Sequence, residues 1–150
     1  MAGCRARPSR DVHAALDLAR LVEEAAPDGA EEAPDIGHIH LMAADVERTL
    51  DFWRDAVGLD ERQRFGAQAV FLAEGLYHHH LGANTWHSLG AGHAPEDTPG
   101  LDSFELRLLN LDAVQAAADR LEQAGVAIER ESASAKFRDP DSNRVILSVR

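Results

Sequence analysis

Residues 36–59 read Ile36-Gly-His-Ile-His-Leu-Met-Ala-Ala-Asp-Val-Glu-Arg-Thr-Leu-Asp-Phe-Trp-Arg-Asp-Ala-Val-Gly-Leu59. The first eight alternate, with Ile39 and Leu41 on one side and His38 and His40 on the other, which predicts a strand with one apolar face. Asp45 follows as a helix N-cap, because its side chain can accept from the free N–H groups of the first turn. Val46, Leu50, Trp53 and Val57 then recur at helical spacing, and Gly58 supplies a stop. The stretch therefore encodes a strand, a tight entry and an amphipathic helix, with two histidines left on the strand face opposite the apolar one.

The same order recurs downstream. AQAVFLAEG and LYHHHLGANTW read as strands of a meander, and SLGAGHAPEDTPG is a loop rich in Gly and Pro. LDSFELRLL then reads as a strand. LDAVQAAADRLEQAG reads as a helix with Val114, Ala117, Ala118 and Leu121 facing inward and Gly125 as its stop. VAIERES, SAKFRD and RVILSV follow as strands, with DPDSN as a turn. A βαβββ unit occurring twice predicts an α+β fold of paired modules, over about 36–88 and 100–150. Their curved sheets carry helices on one side and surround a cavity on the other. Residues 1–35 are expected to be a flexible leader: a helix over 12–25, then a linker with Pro27, Gly29 and Pro34.

Composition narrows the function. The chain has 150 residues, 45% of them hydrophobic and 27% charged, with a formal net charge of −11. One such chain suits one domain with a real core. Its acidity disfavours nucleic acid and anionic membrane as partners, and leaves a neutral or aromatic small molecule open. No apolar run is long enough to span a bilayer. The start MAGCRARPSR lacks the apolar stretch of a secretory signal, and the single cysteine, Cys4, cannot form an internal disulfide. These features predict a cytoplasmic protein.

Taken together, IGHIHLMAADVERTLDFWRDAVGL, DRLEQAGV and KFRDPDSNRVILSV resemble the vicinal oxygen chelate superfamily of glyoxalases, bleomycin-resistance proteins and extradiol dioxygenases. IGHIHL with GLYHHHLGANTW is similar to the C-terminal half of two-domain bacterial catechol 2,3-dioxygenases. The resemblance implies metal ligands on the first and fourth strands of each module. Those positions fall on His38, His80, Ser103 and the neighbourhood of Ile146. His38 and His80 can bind metal, whereas Ser103 and Ile146 cannot serve as the expected histidine and glutamate. Glu105 shares a strand face with Ser103 and is the carboxylate that could complete a His38–His80–Glu105 set.

By strand alternation, His78 and His80 share one face while Tyr77, His79 and Leu81 share the other. His78 and His40 are then the candidates for acid/base work, since imidazole titrates near neutrality. Ser103 and Trp86 are the candidates for contact with substrate. The resemblance implies a divalent metal, iron(II) first, with manganese, zinc and nickel as alternatives. It also implies cleavage of a catechol-like aromatic substrate by dioxygen. Two other functions fit the same residues: a non-catalytic binding or resistance module, and one half of a split dioxygenase. A homodimer would cover sheet edges and Trp86.

Overall fold

The first strand, β1 (Ile39–Met42), runs into helix α1 (Val46–Asp51), whose entry is capped by Asp45 accepting from the Arg48 N–H at 3.1 Å. The helix then widens into a π-helical turn over Phe52–Val57. The N–H groups of Gly58 and Leu59 both reach back to the Trp53 carbonyl at 3.0 Å, and Gly58 closes the turn at φ 97°. An arginine holds this end from outside: Arg120 donates to the carbonyls of Ala56 and Val57 at 3.2 and 2.8 Å. A Cβ on Gly58 would lie 3.0 Å from the Arg120 guanidinium, so glycine is required here twice over.

Strands β2 (Asp60–Phe65), β3 (Ala69–Ala73) and β4 (Leu81–Asn84) complete the first module, in the order β1-β4-β3-β2. The second module repeats the plan with β5 (Ser103–Leu108), α2 (Leu111–Gln123), β6 (Ile128–Arg130), β7 (Ser134–Arg138) and β8 (Arg144–Val149), in the order β5-β8-β7-β6. In each sheet the first and last strands are parallel neighbours, with Ile39 opposite Leu81 and Ser103 opposite Arg144. The computed structural model describes residues 36–95 and 98–150, and Ile36–Arg150 form one compact unit. The expected leader helix and linker lie outside the described residues, as does Cys4.

The paired βαβββ expectation holds, as two four-stranded sheets that do not close into a barrel. The sequence reading had not picked out β2. All six of its residues are exposed, so it has no apolar alternation to detect. The core lies between sheets and helices, where Trp53, Leu72, Leu81, Leu121 and Leu147 are fully buried. Trp53 carries first-module structure into second-module packing: its ring lies 6.0 Å from Phe104 and 6.3 Å from Phe137. Its Nε1 has no hydrogen-bond partner among the described residues, a cost of about 1–3 kcal/mol set against the large area buried.

A second lock joins the modules through the turn before β8. Asp141 accepts from the Ala44 N–H at 3.0 Å, from Arg48 at 2.6 Å and from the Thr49 hydroxyl at 3.1 Å. Asp139 shapes that turn by accepting from the N–H groups of Asp141 and Asn143 and from the Asn143 side chain. Burial pushes the Asp139 carboxyl above its usual range, and these donors pull it back only in part.

Candidate metal centre

Helices cover one face of each sheet, and the site lies on the other face of the first. On that face His40 stands opposite Gly82, which in turn stands opposite Phe71. A Cβ on Gly82 would lie 3.1 Å from the His40 ring, so the missing side chain is the space that the imidazole occupies. The Phe71 ring is 5.8 Å from His40 and 5.0 Å from His79, forming an aromatic floor.

The histidine run does not alternate as a strand would, because β4 begins only at Leu81. Gly75, at φ 64°, turns the chain first, and residues 77–80 form a loop leading into the strand. Of the three, His80 alone has joined the ladder through its backbone, taking the Ile39 N–H on its carbonyl and donating to the Leu72 carbonyl. Its ring accepts from the Glu74 N–H at 3.3 Å and stacks on Tyr77 at 4.6 Å. His78 and His79 turn instead toward β1. The His38 ring lies 4.5 Å from His79, 5.6 Å from His78 and 5.3 Å from His40. One ligand nitrogen each from His38, His78 and His79 falls within 4.8 Å of the other two.

Neighbouring imidazoles oppose one another's charging. Burial, then the fields of His38, His78, His40 and His80, bring the His79 pKa down to about 4. His40 is lowered as well, by burial and then by His38. His80 is lowered mainly by burial, against the pull of Glu74. Lone pairs at these rings are therefore not taken up by protons at neutral pH. His40 Nε2 and His79 Nε2 stand 3.1 Å apart, so one of them carries a hydrogen and the other accepts it.

The other expected site residues lie elsewhere. Glu105 accepts from the Ser148 hydroxyl at 2.5 Å and pairs with Arg107 at 3.6 Å. Ser103 lines a groove of about 590 Å³ on the open face of the second sheet, along with Lys136, Arg144 and Ile146. Its hydroxyl reaches Asp102 at 3.5 Å, and Asp102 also holds Arg144 at 2.6 Å. Trp86 is half-exposed in the turn after β4. The structure thus brings His38, His40, His78 and His79 together, and leaves His80, Glu105, Ser103 and Trp86 with other partners. His79 is the residue that alternation turned away from the others. Gly75, two residues before the run, is the sequence signal for the loop that brings it in.

The comparisons agree with this architecture. The family model described as the Glyoxalase/Bleomycin resistance protein/Dioxygenase superfamily matches residues 35–147. The chain belongs to that superfamily. Among named relatives, it is 34% identical over 139 residues to a catechol-2,3-dioxygenase of Bacillus subtilis (strain 168), across 90% of this chain and 49% of that protein. The chain thus spans about half the length of that relative. A glutathione transferase FosA of Serratia marcescens is 27% identical over 122 residues, covering 76% of this chain and 79% of the transferase. Among solved structures, lactoylglutathione lyase from Agrobacterium tumefaciens superposes with a TM-score of 0.57 at 22% identity, over 78% of this chain and 94% of that one. A glyoxylase/bleomycin resistance protein/dioxygenase domain from Frankia sp. EAN1pec gives 0.58 at 19% identity, over 79% and 98%.

Proposed function

We propose that the chain is a metal-dependent, dioxygenase-like oxidoreductase acting on a small aromatic diol of the catechol class. The observation that carries this reading is the group of His38, His78 and His79 on the open face of the first sheet, in a chain similar to a catechol-2,3-dioxygenase. The side chains fit a divalent ion because they offer three imidazoles close together beside the Phe71 ring. A bound ion of this kind would act as a Lewis acid and as a template for two adjacent substrate oxygens. Iron(II) is the metal this reaction calls for.

In the reading, His38 is a ligand whichever partners complete the set, His80 and Glu105 by spacing or His78 and His79 by proximity. In the His80 and Glu105 set, His78 and His40 stay outside the shell and are assigned the proton released when a substrate hydroxyl is bound. Phe71 excludes water beneath the rings, and Ser103 and Trp86 are assigned to the more distant parts of the substrate. The overall change balances without an external reductant. One ring C–C bond beside the hydroxyl-bearing carbons breaks, and both atoms of dioxygen enter the product. The single cysteine supports action in a reducing compartment such as the cytoplasm. The exposed edges and Trp86 support a homodimer. No described helix is long and apolar enough to cross a membrane.

The test is dioxygen consumption together with the absorbance of ring-opened product, using iron(II)-loaded protein, catechol and the His38→Ala variant. Stoichiometric oxygen uptake that vanishes in the variant is the expected result. A loaded wild-type protein that binds catechol without consuming oxygen would make the chain a binding module instead. That second reading has its own support in the second sheet. The serine and isoleucine at the family's ligand positions, Ser103 and Ile146, line an ion-paired groove.

A further inference from the structure

We propose that the chain holds a zinc-class divalent ion through His38, His78 and His79 alone, in a three-imidazole site contained within the first module. The proposal deepens the metal-dependent reading above, and rests on it only for there being a metal to hold. It departs from any set built between the modules, since no side chain of the second sheet takes part.

Three observations support it. The first is distance. Zinc binds imidazole nitrogen at about 2.0–2.1 Å, which places two tetrahedral ligands roughly 3.4 Å apart. The three ligand nitrogens already lie within 4.8 Å of one another, so a contraction of at most about 1.4 Å, through side-chain rotation, closes the shell. His38 and His78 are exposed and His79 is half-buried, so these rotations do not disturb the core.

The second is the commitment of the competing ligands. His80 spends its Nδ1 on the Glu74 N–H and its ring face on Tyr77. Glu105 is engaged by Ser148 and Arg107 on the other sheet. Recruiting either one breaks existing bonds, whereas recruiting His78 and His79 breaks none that involve the backbone.

The third is the ring behind the site. When His79 donates its Nε2–H to His40 Nε2, its Nδ1 is left with a lone pair facing away from that bond. Metal-bound histidines are commonly fixed in this way, by a partner on the other ring nitrogen. His40 is therefore a positioning residue, and Gly82 makes room for it. Three neutral imidazoles leave the ion its full double positive charge and one open position. Such a site favours an anionic oxygen ligand more strongly than a carboxylate-bearing triad does. It suits zinc, copper or nickel at least as well as iron. The acidic surface of the chain, at −11 overall, favours the approach of cations.

The experiment uses the full untagged chain, stripped with chelator and desalted, then titrated with cobalt(II) and zinc(II). Cobalt is read by its visible absorption, zinc by elemental analysis, and folding by circular dichroism. One equivalent of either ion is expected, with cobalt showing the intense bands of a four-coordinate site. Affinity should fall roughly a hundredfold or more in His38→Ala, His78→Ala and His79→Ala, and change little in His80→Ala and Glu105→Gln. Dependence on His80 or Glu105 with indifference to His78 and His79 would overturn the three-imidazole site while leaving the metal-dependent reading standing. Failure of the folded wild type to bind either ion would overturn it as well. The catechol reading would then be judged separately, by oxygen uptake with iron(II).

Discussion

Each module sets its first and last strands side by side and covers one sheet face with a helix, yet the two open faces carry unlike chemistry. The first presents His38 and His40 around Gly82, with Phe71 beneath. The second presents Glu105, Arg107, Arg144 and Lys136, tied up with Ser148, Asp102 and Glu131. The same register thus positions titratable side chains in both. In one they are clustered imidazoles, and in the other they are charges already paired with neighbours. A duplicated scaffold presents equivalent positions twice, and the residue types at those positions give the two faces their different chemistry.

The harshest way to break the comparison is to remove what the modules share. Trp53→Ala should lower stability by about 3–5 kcal/mol, since it empties a fully buried site where both modules meet. Denaturant unfolding should show one transition at a much lower midpoint. Next is Asp141→Ala, which removes the acceptor for Ala44, Arg48 and Thr49. A loss of about 1.5–3 kcal/mol is expected in the same assay, with metal uptake retained once the protein is folded.

The asymmetry itself is sharpened by Gly82→Ala. The new methyl displaces His40, so cobalt affinity should drop roughly tenfold while the unfolding midpoint moves by less than about 1 kcal/mol. Ser148→Ala, on the second sheet, should leave cobalt binding unchanged. The smallest effect is expected at Arg130→Ala. Its bonds to Asp119 and Glu122 lie on the surface, so the unfolding midpoint should barely move, and any shift should fade in high salt.

Much of the scaffold was legible because its signals are local. Asp45 caps α1, Gly58 ends the turn after it, and Val114, Ala117, Ala118 and Leu121 of α2 are buried as their spacing requires. The π-helical widening was not legible. Its residues keep ordinary helical spacing, and Trp53 within it packs on Phe104 and Phe137, about fifty and eighty positions away. Strand β2 was missed because an edge strand exposed on both faces has no alternation to show. The candidate site was half legible. His40 lies on β1 on the face that alternation gave it, and His38 stands just before the strand with its ring 5.3 Å from that of His40. The histidine run does not lie on a strand, because Gly75 delays the strand until Leu81. That delay sets the His78 and His79 rings 5.6 and 4.5 Å from that of His38.

The parallel pairing of first and last strands also sets an order of assembly. Once residues through Asn84 have left the ribosome, every strand of the first sheet is present, and β1 can close against β4 before β5 has emerged. What that nascent module lacks is cover for Trp53 and for the helix end that Arg120 later grips. Its histidine face is complete early while its hydrophobic flank stays bare, and that flank is the surface that synthesis of the second module must shield.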